Sequence, residues 1–269
     1  KRCLDDIGAS EQIVKSGYML VWESSSKRHE ALQHQRWLSE NGIVTELVEG
    51  ATLAEREPAL VNTVSHALYF PDAYRVREPY ELCVMLFSVF MARGGHFVQQ
   101  EITAIEASAD EVALCRFSDK YRYANAIICT GAWSKQLVQS VGLSVPLEAE
   151  RGYHLTIPSA ASLLNHHIGS AERKFVMGPL DSGLRIVGMT ELGGVELPPI
   201  KRRFEVLRHH SRQLLPDLNA TSLTETEWMG HRPSTIDSLP LIGESERAKG
   251  IFFAFGAQHI GLTSGPKTG

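Results

Sequence analysis

The run Ile251-Phe252-Phe253-Ala254-Phe255-Gly256 constrains this chain more than any other stretch. Five consecutive apolar residues closed by glycine are too few for a buried helix and read as a buried strand. Ala257-Gln258-His259-Ile260-Gly261 follows as a turn in which Gly261 lets backbone come close to a ligand, and a helix is expected to begin near Thr263. Unpaired N–H groups and the positive end of the helix dipole would then face the turn, which suits a group that carries or gains negative charge.

The 269 residues, 43% hydrophobic and 22% charged, can bury a substantial core as one large domain or two interleaved ones. A formal charge of −4, a pI near 6.3 and 27 dispersed basic residues argue against nucleic acid as a partner. Cys3, Cys83, Cys115 and Cys129 lie far apart with no Cys-x-x-Cys pair, so a reducing, cytoplasmic compartment is expected. The longest apolar run, Leu82 to Ala92, falls short of the ~20 residues of a membrane span. A Gly-x-Gly-x-x-Gly turn, through which a chain brings backbone close to a pyrophosphate, is missing. The expectation is a fragment lacking both ends, the alternative a subunit whose partner supplies the phosphate-binding half.

Taken in order, Gly17 to Trp22 reads as a strand and Ser24-Ser25-Ser26 as N-cap candidates for a helix through Glu40, stopped at Asn41-Gly42. A short helix over Ala51–Ala59 and a strand over Ala67–Phe70 follow. Arg77-Glu78-Pro79 opens a helix that is apolar almost all round and is expected to be buried. A small β-meander is expected from strands at His96–Val98, Ile102–Ile105, Val112–Phe117 and Tyr121–Tyr123. Ala126 to Cys129 is a buried strand, and Thr130-Gly131-Ala132-Trp133-Ser134 turns into a helix through Val141. A strand lies between Pro146 and Pro158, a hairpin turns at Asp181-Ser182-Gly183, and an amphipathic helix lies between Pro199 and Pro216.

Several chemistries fail on spacing: no Gly-x-Ser-x-Gly, no Gly-x-x-x-x-Gly-Lys and no His-Glu-x-x-His occurs. The adjacent pairs His166-His167 and His209-His210 cannot aim at one metal from helix or strand, so they read as surface histidines and no metal is expected.

The pattern Trp228-x-Gly230-x-Arg232-Pro233-x-Thr235-x-Asp237-x-x-Pro240-x-Ile242-Gly243, followed by a strand and Gly256-x-x-x-x-Gly261-Leu262-Thr263, resembles the C-terminal part of FAD-dependent amine and D-amino-acid oxidoreductases. Among them it resembles the bacterial D-amino-acid dehydrogenases, with glycine and sarcosine oxidases further off. The resemblance runs from about Gly17 to the end. It implies an α/β (α+β) fold: a partial FAD-binding domain over 77–146 and 228–269, interleaved with a substrate domain over 12–76 and 147–227. The substrate domain would be a mixed, largely antiparallel sheet covered by helices.

It also implies roles. Ile102, the turn Gly131-Ala132-Trp133 and the stretch Gly256, Ala257, Gln258, His259, Ile260, Gly261, Leu262, Thr263 would contact FAD. Arg232 would bind the substrate carboxylate, to which a guanidinium offers a two-pronged fork; the competing reading is an ion pair with Asp237. His259 would hydrogen-bond substrate or influence proton transfer, against a locally satisfied loop histidine. The family often has a histidine two residues earlier, where this chain has Ala257. Tyr153, Glu191 and Phe175 would face the substrate, although Tyr153 and His154 cannot both do so from one strand.

The expected activity is oxidation of the C–N bond of a D-amino acid or related amine to an imine, hydrolysed to a keto acid. The alternatives are a sarcosine- or hydroxyproline-type amine oxidoreductase and a catalytically silent subunit of a flavoprotein complex. The implied partners are the amino-acid or amine substrate and an acceptor, namely oxygen, a quinone or an electron-transfer protein. Homo-oligomerisation stays open, as does peripheral attachment to the inner face of a membrane. The span 1–269 alone is expected to hold FAD poorly and to be inactive.

Overall fold

The structure, a computed structural model, describes residues 2–219 and 223–268, so Gly269 at the end of the matched stretch lies outside the described residues. In chain order its elements are α1 (Arg2–Asp6), β1 (Ile13–Lys15), β2 (Tyr18–Trp22), α2 (Arg28–Glu40), β3 (Glu46–Glu49), α3 (Gly50–Arg56), β4 (His66–Phe70) and β5 (Tyr74–Val76). Then come α4 (Pro79–Ala92), β6 (Ala104–Ala107), β7 (Val112–Arg116), β8 (Asp119–Tyr123), β9 (Ala126–Ile128), α5 (Ser134–Ser140), β10 (Leu147–Ile157) and β11 (His167–Ser170). The last are β12 (Phe175–Leu180), β13 (Gly183–Leu192), α6 (Lys201–Leu214), β14 (Thr226–Thr235), β15 (Leu241–Glu244), β16 (Ile251–Phe255) and α7 (Gly261–Thr268). Two compact units form: Lys1–Gly95 with Tyr153–Met189 and Ile200–Met229, and His96–Gly152 with Thr190–Pro199 and Gly230–Gly269. None of the described helices is long and apolar enough to cross a membrane.

The first unit is organised on a mixed sheet in which β13, β12, β11, β2, β4 and β3 are neighbours in that order. Only the β11–β2 pairing among these is parallel, the others being antiparallel. Alternation along β2 covers both faces: Met19 and Val21 enter the main core, while Trp22 packs with Ala31 and Leu38 of α2 on the other side. The helix α6 buries Phe204, Leu207, Ser211 and Leu214, one stripe at helical spacing, as expected.

Two expectations change in this unit. The helix α4 buries only Leu82, which packs with Leu4 and Ala9, while Val84, Leu86, Phe90 and Met91 stay exposed. Hydropathy states what a residue prefers to touch, and this unit offers α4 only that small cluster. His166 and His167 are partly buried rather than surface residues. The ring of His166 sets Nδ1 2.6 Å from Oε1 of the fully buried Glu57, and burial followed by the charge of Arg75 lowers the His167 pKa to about 4.

The second unit holds the antiparallel meander β6-β7-β8 and the sheet β15-β16-β9, in which β16 runs parallel to β9 and antiparallel to β15. Ile105, Val112, Ile128, Val138, Ile251 and Phe255 share its core. Residues 96–98 form no strand, and Ile102 precedes β6 instead of lying in it. In β16 only Ile251 and Phe255 are buried. Its middle residues, with Ile127 and Ile242 of the flanking strands, line a cavity of about 500 Å³ closed on one side by Gly261, Ser264 and Gly265 of α7.

Candidate active site

Strand alternation in β10 sends Glu150 and Gly152 to one face and Arg151 to the other. Glu150 is 6% exposed, and its Oε2 accepts a 2.9 Å hydrogen bond from Oγ of Ser234, also buried. On β14, Arg232 and Ser234 share a face by the same alternation. The Arg232 guanidinium lies over the bare Cα of Gly152, in the space a β-carbon at 152 would take. Its Nη1 stands 3.7 Å from Oε1 of Glu150, too far for a hydrogen bond. Nε2 of His259 is 3.0 Å from the same oxygen but out of hydrogen-bonding alignment. Both Oε1 of Glu150 and Nη1 of Arg232 are buried and lack a hydrogen-bond partner among the described residues.

The turn after β16 is tied to this group by backbone. The N–H of Gln258 donates to the carbonyl of Pro233 at 3.1 Å, and Gly256 and Gln258 take left-handed φ of 83° and 48°. His259 reaches Glu150 from there while remaining half exposed. The helix α7 starts at Gly261, two residues before the expected Thr263. The N–H groups of Gly261 and Leu262 have no acceptor among the described residues, leaving donors free in its first turn.

The opposite faces of these strands do structural work. The Arg151 guanidinium, 1% exposed, donates to the carbonyls of Leu197 and Pro198 at 2.9 and 2.8 Å and pairs with Glu191 at 3.2 Å. Glu191 therefore has a buried cationic partner. His231 packs edge-on against Trp133, the ring centroids 5.2 Å apart, and burial followed by the charge of Arg151 lowers its pKa.

Other expected site residues belong to the first unit. Tyr153 is 1% exposed; its ring packs on Phe204 and its hydroxyl accepts from the N–H of Ile200 at 3.3 Å. Phe175 lies in the same core. These placements make Tyr153 and Phe175 core residues, while His154 stacks on Trp228 at 4.7 Å. Arg232, His259 and the turn from 256 to 263 do come together, as do Gly131, Ala132 and Trp133 in a turn where Gly131 has φ of 57° and a short helix begins. The Arg232 neighbour is Glu150, not Asp237, whose carboxylate accepts from the N–H of Leu239. Glu150, Gly152 and Ser234 escaped sequence reasoning. Their period-two spacing shows that Glu150 shares a face with Gly152, and nothing linear shows which strand lies opposite.

An FAD-binding edge fits these residues: donors unpaired at the start of α7, small residues at 256, 257 and 261, and buried polar atoms of opposite charge without hydrogen bonds.

The model of a family described as FAD dependent oxidoreductase (DAO) matches residues 3–269. A D-amino-acid oxidase of Bradyrhizobium diazoefficiens is 31% identical over 274 residues, covering 100% of this chain and 64% of that protein. The chain thus spans just under two thirds of that relative. The crystal structure of glycine oxidase from Geobacillus kaustophilus superposes with a TM-score of 0.85 at 21% identity, over 99% of this chain and 74% of that one. Iminodiacetate oxidase from Chelativorans sp. BNC1 gives 0.81 at 19%, over 99% and 74%.

Proposed function

Since this chain belongs to the family of FAD-dependent oxidoreductases, we propose that the protein oxidises the C–N bond of an amino acid, in the D configuration, or of a closely related amine. The observation that carries this reading is the Arg232 guanidinium: seated over the bare Cα of Gly152, bordered by the turn at 256–261, and with its Nη1 lacking a hydrogen-bond partner among the described residues. A fork of donors so placed binds a carboxylate and fixes the orientation of the carbon that bears it. The FAD held there would supply the two-electron acceptor for oxidation at that carbon. The turn from Gly256 to Thr263, the turn at Gly131–Trp133 and Ile102 are the residues assigned to hold it.

Donors left open at Gly261 and Leu262 favour negative charge at the α7 end. Glu150 and His259 supply the groups near Arg232 that can hold a proton. The four free cysteines support a reducing, cytoplasmic compartment. The electron acceptor is oxygen, a quinone or an electron-transfer protein.

A second reading, oxidation of a secondary amine of the iminodiacetate type, is favoured by the likeness to iminodiacetate oxidase. One screen separates the two: the FAD-loaded protein against D-alanine, glycine, sarcosine and iminodiacetate with a dye acceptor. Arg232→Leu should raise KM for the preferred substrate by about a hundredfold, as expected for a lost charge-assisted pair of ~2–3 kcal/mol. An unchanged KM would sink the assignment.

A further inference from the structure

The geometry points to Glu150 as the residue that reads the substrate's amine, so that the site selects compounds with an ammonium group adjacent to a carboxylate over 2-hydroxy acids of the same shape. This inference rests on the reading of Arg232 as the carboxylate anchor.

Glu150 is buried, and one of its two oxygens, Oε2, accepts the bond from Ser234. That bond fixes the carboxylate with Oε1 on the Arg232 side, 3.7 Å from its Nη1. Among the described residues Oε1 makes no hydrogen bond, and neither does Nη1 of Arg232. An unsatisfied buried polar atom is destabilising, so two of opposite sign side by side are a standing cost to the fold. A pair built for stability would close to hydrogen-bonding distance, near 2.8 Å, and recover that cost. At this separation neither atom is spent on the other, so a ligand that reaches them meets two unpartnered atoms of opposite sign.

An α-amino acid carries its anion and cation on one carbon. With its carboxylate on Arg232, its ammonium donates to Oε1 of Glu150, and one molecule satisfies both orphaned atoms. A 2-hydroxy acid offers Glu150 a neutral hydroxyl, and a simple carboxylic acid offers it nothing. Discrimination against a ligand lacking the partner of a buried polar group is commonly large. His259, half exposed, places Nε2 3.0 Å from the same Oε1.

The test uses the FAD-loaded protein with D-alanine, D-lactate and propionate, which share a three-carbon frame. Dissociation constants for lactate and propionate come from changes in flavin absorbance, and that for alanine from the concentration dependence of anaerobic flavin reduction. Wild type should bind alanine at least tenfold more tightly than lactate or propionate. Glu150→Gln should bring the three within about threefold of one another, with propionate bound as well as before or better. Propionate binding reports that the variant site is intact. If Glu150→Gln fails to fold, Ser234→Ala, which unmoors the carboxylate, should narrow the same ratio. A ratio unchanged in the folded variant overturns the inference and leaves the proposed function standing. Loss of propionate binding in Arg232→Leu supports the anchor independently, and failure of wild type to act on any amine sinks the proposed function itself.

Discussion

Arg232 rests its guanidinium on Gly152, the two facing one another from β14 and β10, so that the absence of a side chain at 152 is what makes room for the charge at 232. Gly152 does not have a left-handed φ, and alanine there meets no backbone strain. Gly152→Ala should therefore fold normally and displace the guanidinium. The expected result is a rise in KM for the amino-acid substrate of at least tenfold, with kcat affected less, measured by steady-state kinetics.

Glu57 is fully buried in the first unit, and its carboxylate accepts from the N–H groups of Asn165 and His166 and approaches Nδ1 of His166. Replacing it with leucine strands these donors. Glu57→Leu should cost ~3 kcal/mol of stability, read as a lower urea midpoint with an unchanged slope.

Burial, followed by the charge of Arg185, lowers the pKa of His154 from 6.5 to about 4, with Glu78 opposing. The unfolded chain then binds more protons than the folded one between those values, so stability is full above pH 6.5 and declines as pH falls towards 4. His154→Phe keeps a ring to stack on Trp228 and removes the titration. Its melting temperature should fall less than that of wild type between pH 6.5 and 4.5, and parallel curves would refute the assignment.

Leu82 is 4% exposed and Leu86 is 42% exposed on the same helix. Leu82→Ala should cost ~2–4 kcal/mol through the cavity it opens, while Leu86→Ala should stay within ~0.5 kcal/mol. Chemical denaturation of the two variants measures the contrast, and equal losses would show that α4 is covered on its other side.

Local features were legible in the sequence because they depend on near neighbours. The strand closed by Gly256, the turn to α7, the hairpin at 181–183 and the stripe of α6 all follow from backbone freedom and side-chain period. The family pattern around Arg232 belongs to the same category. Exposure of α4 was not legible, since an apolar surface on a helix says nothing about whether a counterpart reaches it.

By itself, then, the sequence determined which residues share a strand face or a helix stripe, and where the chain must turn. Only the tertiary structure decided what each face meets: Ser234 and Glu150, 84 positions apart, Arg151 against Glu191, and Tyr153 in the core. The physical reason is that period-two alternation is a property of one strand, whereas the partner of a buried charge is chosen by which strands the folded chain sets side by side.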